Sequence, residues 1–214
     1  VTIRTLDLGA DKADRTGLTL SSEDNPALGL RGVRLSLARD GVFDTQLRAI
    51  ARASSYGPVR ILVPMVSSRE EILAVRRRLK RVLAQLHKEG GHALAEHLPL
   101  GAMIEVPAAA IALHGFVDLV DFLSIGTNDL VQYLLAADRN NEALGELYSP
   151  LHPGVLRLLR HVISTATEYK IPVAVCGEMA GDPRLAPLLL ALGLTEFSLH
   201  PATLLELRRV IRES

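Results

Sequence analysis

A carboxylate closes an apolar run at Met103-Ile104-Glu105-Val106-Pro107. If the run is a strand and Pro107 opens the next helix, Glu105 is aimed at whatever lies beyond the strand end. A satisfied polar cap and a metal ligand fit that position equally. A second acidic residue follows in Ser124-Ile125-Gly126-Thr127-Asn128-Asp129-Leu130. Gly126 allows a sharp turn, and Asn128 and Asp129 then stand at a helix N-terminus, where free amides attract anions. Asn-Asp at such a place is commonly only a cap. If Asp129 faces Glu105, two carboxylates and a few waters make a magnesium site that substrate oxygens complete. The only cysteine, Cys176, ends a third run beside Gly177 and Glu178. A lone cysteine is often an inert small hydrophobe. Its strand-end place also suits a proton donor or nucleophile. Arg4 lies in the first run with Asp7, Asp11 and Lys12 just beyond it, Arg31 in a helix expected from Asn25-Pro26, and Arg139 after the helix carrying Asp129. Arginines that converge form a fork for phosphate and carboxylate oxygens, whereas single ones are surface charges.

These residues need elements to position them. Six short β-type runs recur, Thr2–Leu6, Val59–Met65, Leu100–Val106, Asp121–Ile125, Val173–Cys176 and Glu196–Leu199. Several are apolar on successive residues, as strands buried on both faces require. Helical patterns lie between them. Ser67 and Ser68 with Glu70 and Glu71 mark the start of a long helix reaching His87, and Gly90-Gly91 ends it. Others are expected at Phe43–Tyr56, Pro107–Phe116, Asn128–Ala136, Pro153–Tyr169, Pro183–Leu192 and Ala202–Arg212. Strand followed by helix, repeated, is the order of parallel α/β folds. An open doubly wound sheet competes with a (β/α)8 barrel. The barrel fits better, because the unusual polar residues sit just past strand ends. A full barrel needs eight strands and typically about 250 residues. Six strands in 214 residues predict a TIM-type barrel lacking its first two βα units, within one domain over 1–214. A start at Val1 rather than Met agrees with a fragment of a longer chain.

Composition narrows the function. Basic and acidic residues balance at 24 each, which argues against nucleic acid and against an anionic membrane surface as partners. No apolar run of about 18 residues occurs, so no membrane insertion is expected. A single cysteine excludes a disulfide framework and a multi-cysteine zinc site. His87, His92 and His97 fall in a polar helix end and loop and read as solvated, and His200 follows the sixth run.

One family joins these segments. Ile3-Arg4-Thr5-Leu6-Asp7-Leu8-Gly9 with Asp11-Lys12, Asn25-Pro26 with Gly29-Leu30-Arg31, Met103 to Ala109, Phe122 to Leu130 with Gln132-Tyr133 and Asp138-Arg139, and Cys176-Gly177-Glu178 with Gly181-Asp182 occur in order. Together they resemble the C-terminal phosphoenolpyruvate-binding domain of enzyme I, the phosphoenolpyruvate–protein phosphotransferase of the bacterial sugar phosphotransferase system. Leu147-Tyr148-Ser149-Pro150 brings the chain nearer to enzyme I than to the related dikinases and synthases. The resemblance implies a (β/α)8 barrel that uses Mg2+ and phosphoenolpyruvate. It implies that Glu105 and Asp129 bind the metal. Arg4, Asn128 and Arg139 would hold the substrate, with Arg31 and Lys12 near its phosphate, and Cys176 would protonate the enolate carbon as pyruvate forms. It further implies a phosphohistidine domain in the same parent chain, HPr as the next acceptor, a homodimer and a cytoplasmic location. The family's phosphate-binding arginine ahead of the third barrel strand lies upstream of Val1, and none of the seven histidines sits in a phosphohistidine motif. The fragment alone is therefore not expected to complete the transfer. A dikinase- or synthase-type domain and a phosphoenolpyruvate-sensing module are the alternatives.

Overall fold

A computed structural model describes residues 1–8, 23–90 and 94–213. Lys12 and Asp11, the Gly9-Ala10 pair and His92 lie outside the described residues. The chain divides into two compact units, Val1–Ala102 and Met103–Ser214.

The first unit holds β1 (Thr2–Arg4), β2 (Arg60–Val63) and the beginning of β3 (Leu100–Ile104). All pair in parallel, with Ile3 opposite Ile61 and Ile61 opposite Leu100. Ile61, Leu62 and Val63 are all buried, so β2 has apolar side chains on both faces. That is why its sequence does not alternate. Helices α1 (Gly32–Ala38), α2 (Asp40–Ala53) and α3 (Arg69–Glu89) complete the unit. The expected start of α3 is present as a reciprocal cap. The Ser68 hydroxyl accepts from the Glu71 amide, and the Glu71 carboxylate accepts from the Ser68 amide at 3.0 Å. Two otherwise orphaned donors are satisfied in this way.

Asn25-Pro26 behaves differently from expectation. Pro26–Leu28 forms a single 3-10 turn, and the Asn25 side chain makes no capping bond. Arg31 is extended (φ −138°, ψ 169°) and precedes α1 rather than lying in a helix begun at Pro26. The physical reason is local. The Glu23 carboxylate accepts the Leu30 amide at 2.9 Å and lies where a Cβ on Gly29 would be. The chain then turns through Gly32 at φ +56°. A Cβ there would stand 2.6 Å from Cβ of Met65, itself left-handed at φ 59°.

The second unit holds the end of β3, β4 (Phe122–Gly126), β5 (Val173–Cys176) and β6 (Glu196–Phe197). β4, β5 and β6 pair in parallel in that order, with Gly126 opposite Cys176. The intervening helices are α4 (Pro107–Ile111), α5 (Thr127–Leu135), α6 (Pro153–Glu168), α7 (Glu178–Gly181), α8 (Ala186–Ala191) and α9 (Leu204–Glu213). α6 buries Val155, Leu159, Val162 and Ala166 on one stripe, the face that spacing of three to four residues predicts. The fold is α/β of the TIM-barrel class, with six βα units among the described residues. No described helix is long and apolar enough to cross a membrane.

Candidate functional site

The strand ends of the second unit carry most of the predicted chemistry. Glu105 directly follows β3 and is only 2% exposed. Asp129, in the first turn of α5, is 7% exposed. Burial of a carboxylate is costly without a compensating charge or donor, and both of these carboxylates have partners. Gly126 makes room for one. A Cβ on it would stand 2.6 Å from Glu105 Oε2. The Glu105 carboxylate therefore lies against the β4 end from which Thr127, Asn128 and Asp129 depart.

The segment Thr127–Asn128 is tied to the Cys176 turn from both sides. The Thr127 hydroxyl donates to the Cys176 carbonyl at 2.8 Å. The Glu178 amide donates to Asn128 Oδ1 at 2.8 Å. Gly177 sits between them at φ +89°, and a Cβ on it would meet Thr127 Oγ1 at 2.5 Å and Asn128 Oδ1 at 2.7 Å. The close approach and the left-handed backbone together require glycine. Asn128 does not cap its own helix; its side-chain oxygen serves the neighbouring turn instead.

Cys176 is partly exposed. Its thiol donates to the Ile125 carbonyl at 3.4 Å, and its sulfur accepts from the Ser124 hydroxyl at 3.5 Å. Tyr148 closes the far side of Asn128, its hydroxyl donating to the Asn128 carbonyl at 3.1 Å. Burial, then the Glu178 charge, raises the Tyr148 phenol above its usual 10.0; Arg139 opposes this and Asp129 reinforces it. Asn128, Asp129, Arg139, Tyr148 and Glu178 thus share one neighbourhood. Arg139 is exposed, and its amide is held by Gln132 Oε1 at 3.2 Å. Hydrogen bonds from the Arg184 side chain hold Asp182 below the usual carboxylate range.

In the first unit one acidic residue organises two arginines. Arg31 Nε donates to Asp7 Oδ1 at 3.2 Å and Arg31 Nη2 to Asp7 Oδ2 at 2.9 Å. Arg4 Nη1 lies 3.5 Å from the same Oδ2. The Asp7 side chain is 6% exposed and that of Arg4 is 50% exposed. Arg4 and Arg31 are therefore brought together, although they are 27 positions apart (31 − 4). Lys12 lies outside the described residues.

The sequence motifs mark the end points of this network but not its connectors, Asp7, Ser124 and Tyr148. The signal they carry is chemical. Ser124 is polar in a strand whose five residues are all buried, and such a hydroxyl needs a partner. His200, outside this group, caps the turn Pro201–Thr203 by accepting the Ala202 amide at 3.3 Å. Among the described residues no cluster of three or more histidine, cysteine or acidic side chains is placed to hold a metal. Carboxylate oxygens are the donor type that a hard cation takes together with oxygens of substrate and water.

A family model described as "PEP-utilising enzyme, PEP-binding domain" matches residues 1–214. A phosphoenolpyruvate-protein phosphotransferase of Cupriavidus necator is 53% identical over 99% of this chain and 36% of its own length. One of Geobacillus stearothermophilus is 46% identical over 100% of this chain and 36% of its own length. The chain thus spans just over a third of the length of these curated relatives. Among solved structures, a malate synthase of Haloferax volcanii superposes with TM-score 0.59 at 16% identity, covering 78% of this chain and 50% of that one. A citrate lyase from Burkholderia xenovorans gives TM-score 0.58 at 20% identity, covering 78% and 53%. These two likenesses speak to the fold alone.

Proposed function

The chain belongs to the family of phosphoenolpyruvate-binding domains of the PEP-utilising enzymes, and from that membership we propose that it is the substrate-binding domain of enzyme I. In this reading a longer parent chain moves the phosphoryl group of phosphoenolpyruvate to a histidine on a separate domain, and thence to HPr, releasing pyruvate. The observation that carries the reading is the knot joining Cys176, Thr127, Asn128 and Glu178 beside the buried Glu105 and Asp129.

Residues 1–214 then act as one binding domain. Glu105 and Asp129 would hold Mg2+, and their buried hard oxygens suit it. When bound, the cation neutralises charge on the phosphate and enolate oxygens. Asn128 and Arg139, with Arg4, Arg31 and Lys12, would bind phosphate and carboxylate oxygens. Arg31 is well suited, since Asp7 already fixes its plane by two hydrogen bonds. Phosphoryl transfer is catalysed chiefly by positioning and charge stabilisation. As the phosphoryl group leaves, the ester P–O bond breaks and the oxygen keeps the electron pair. The enolate carbon then takes the Cys176 thiol proton, and the sulfur keeps the S–H pair. A thiol supplies that proton without placing a fixed charge near the enolate. The parent is cytoplasmic and dimeric in this reading.

The test is pyruvate formation by the parent chain with HPr and magnesium, together with calorimetric binding of oxalate. Glu105→Gln should abolish magnesium-dependent oxalate binding and reduce turnover by at least about 100-fold. Unchanged turnover in that variant would sink the proposal.

A further inference from the structure

Ser124 is buried (5% exposed) in a strand with no exposed residue. An unsatisfied hydroxyl there would be destabilising. The hydroxyl instead donates to the Cys176 sulfur at 3.5 Å. The placement follows from register. Ser124 pairs with Ala174 and Gly126 with Cys176, so Ser124 and Cys176 share a face of adjacent strands, two residues out of step. Gly126, lacking a side chain, leaves room opposite Cys176 for Glu105, whose Oε2 lies 2.6 Å from where a Cβ on Gly126 would be.

Two of the neighbours of the sulfur are unlike each other. The Ile125 carbonyl, 3.4 Å away, accepts the thiol proton and so favours the neutral form. The Ser124 hydroxyl can donate to either form, and donates more strongly to a thiolate, since hydrogen bonds to ionised acceptors are roughly twice as strong. We propose that Ser124 is a positioning residue for Cys176, whose hydroxyl orients the thiol and stabilises the thiolate left when the proton departs. For the reaction this rests on the enzyme I reading. The proton leaves sulfur for the enolate carbon, the sulfur retains the electron pair, and the Ser124 O–H bond stays intact. The hold on the thiol itself is a property of the chain without substrate.

That separation supplies the test. Cys176 is the only cysteine, so alkylation by iodoacetamide reports on it alone, and the thiolate is the reacting form. The rate is followed against pH for the wild-type chain, Ser124→Ala and Ser124→Thr, with circular dichroism to establish that each is folded. Ser124→Ala should raise the midpoint by about one pH unit, a tenfold lower thiolate fraction at neutral pH. Ser124→Thr, which keeps the hydroxyl, should return it toward wild type. In the parent, Ser124→Ala should lower kcat for pyruvate formation while leaving KM for phosphoenolpyruvate unchanged. Superimposable alkylation profiles for folded wild type and Ser124→Ala would overturn the proposal. Failure of the enzyme I reading shows elsewhere, as full pyruvate formation by a Cys176→Ala parent, and would leave the alkylation shift in place.

Discussion

Asn128 Oδ1 accepts the Glu178 amide at 2.8 Å, and this one bond fixes which end of the side-chain amide faces away from the Cys176 turn. The oxygen is occupied by a backbone donor, so the two N–H donors of Nδ2 form the opposite end. Asn128 thereby becomes a donor toward its remaining surroundings, which suits an anion. The same bond makes the turn and the start of α5 move together.

Gly177→Ala should separate them. The new Cβ would fall within 2.7 Å of Asn128 Oδ1, and the φ of +89° disfavours any side chain. A loss of about 1–3 kcal/mol is expected, read from the urea midpoint. Alkylation of Cys176 should quicken as the turn loosens.

Gly126→Ala acts on the proposed metal ligand without removing it. A Cβ 2.6 Å from Glu105 Oε2 forces the carboxylate to move. Mn2+ affinity, followed by electron paramagnetic resonance, should fall roughly tenfold or more, as for other changes that misorient a ligand. The Cβ of Glu105, 2.9 Å from the same point, has to give as well, so the melting temperature is followed beside the affinity to separate a displaced ligand from a lost fold.

Asp7→Asn keeps the shape and removes the charge that gathers Arg4 and Arg31. Arg31 loses a bidentate carboxylate partner, a contact of about 1.5–3 kcal/mol. In the parent chain, oxalate affinity by calorimetry should drop about tenfold or more. An unchanged affinity would show that the Asp7 clamp does not prepare the arginines for anions.

Tyr148→Phe carries a signed pH dependence. Burial and the Glu178 charge raise the folded-state phenol above its usual 10.0. The folded chain therefore keeps this proton longer than the unfolded chain does. The contribution of the phenol to stability is complete below pH 10.0 and is lost as pH rises through the higher folded-state value. Denaturant melts should find the variant weaker by about 1 kcal/mol near neutrality, where the bond to the Asn128 carbonyl is intact. The gap should narrow above pH 10, and a spectrophotometric titration near 295 nm should lose a phenol that ionises above the usual 10.0.

The elements legible in the sequence were those with local causes. Val173–Cys176 matches the observed β5 end to end, and Ser68 with Glu71 marks the start of α3. Arg31 lies outside the expected helix for the same reason in reverse. Asn25-Pro26 carries a helix-start signature, but Glu23 and the left-handed Gly32 impose a turn that short-range rules do not contain. Of the candidate site, the places of Glu105, Asp129 and Cys176 at or just past strand ends are legible, because strand ends are. The bonds that organise them are not. Thr127 to Cys176 and Ser124 to Cys176 each span about 50 positions, and residue spacing carries no information about strand partners that far apart.

The contact between Gly32 and Met65 is one of several that hold position 32 to a single residue. Shortening Met65 to alanine leaves its Cβ, the atom 2.6 Å from where any side chain at position 32 would begin. A glycine at 65 clears that atom, but the Pro64 carbonyl oxygen 3.2 Å away and the φ of +56° at position 32 remain. A library that varies position 32 should therefore return the parental residue, whatever stands at 65.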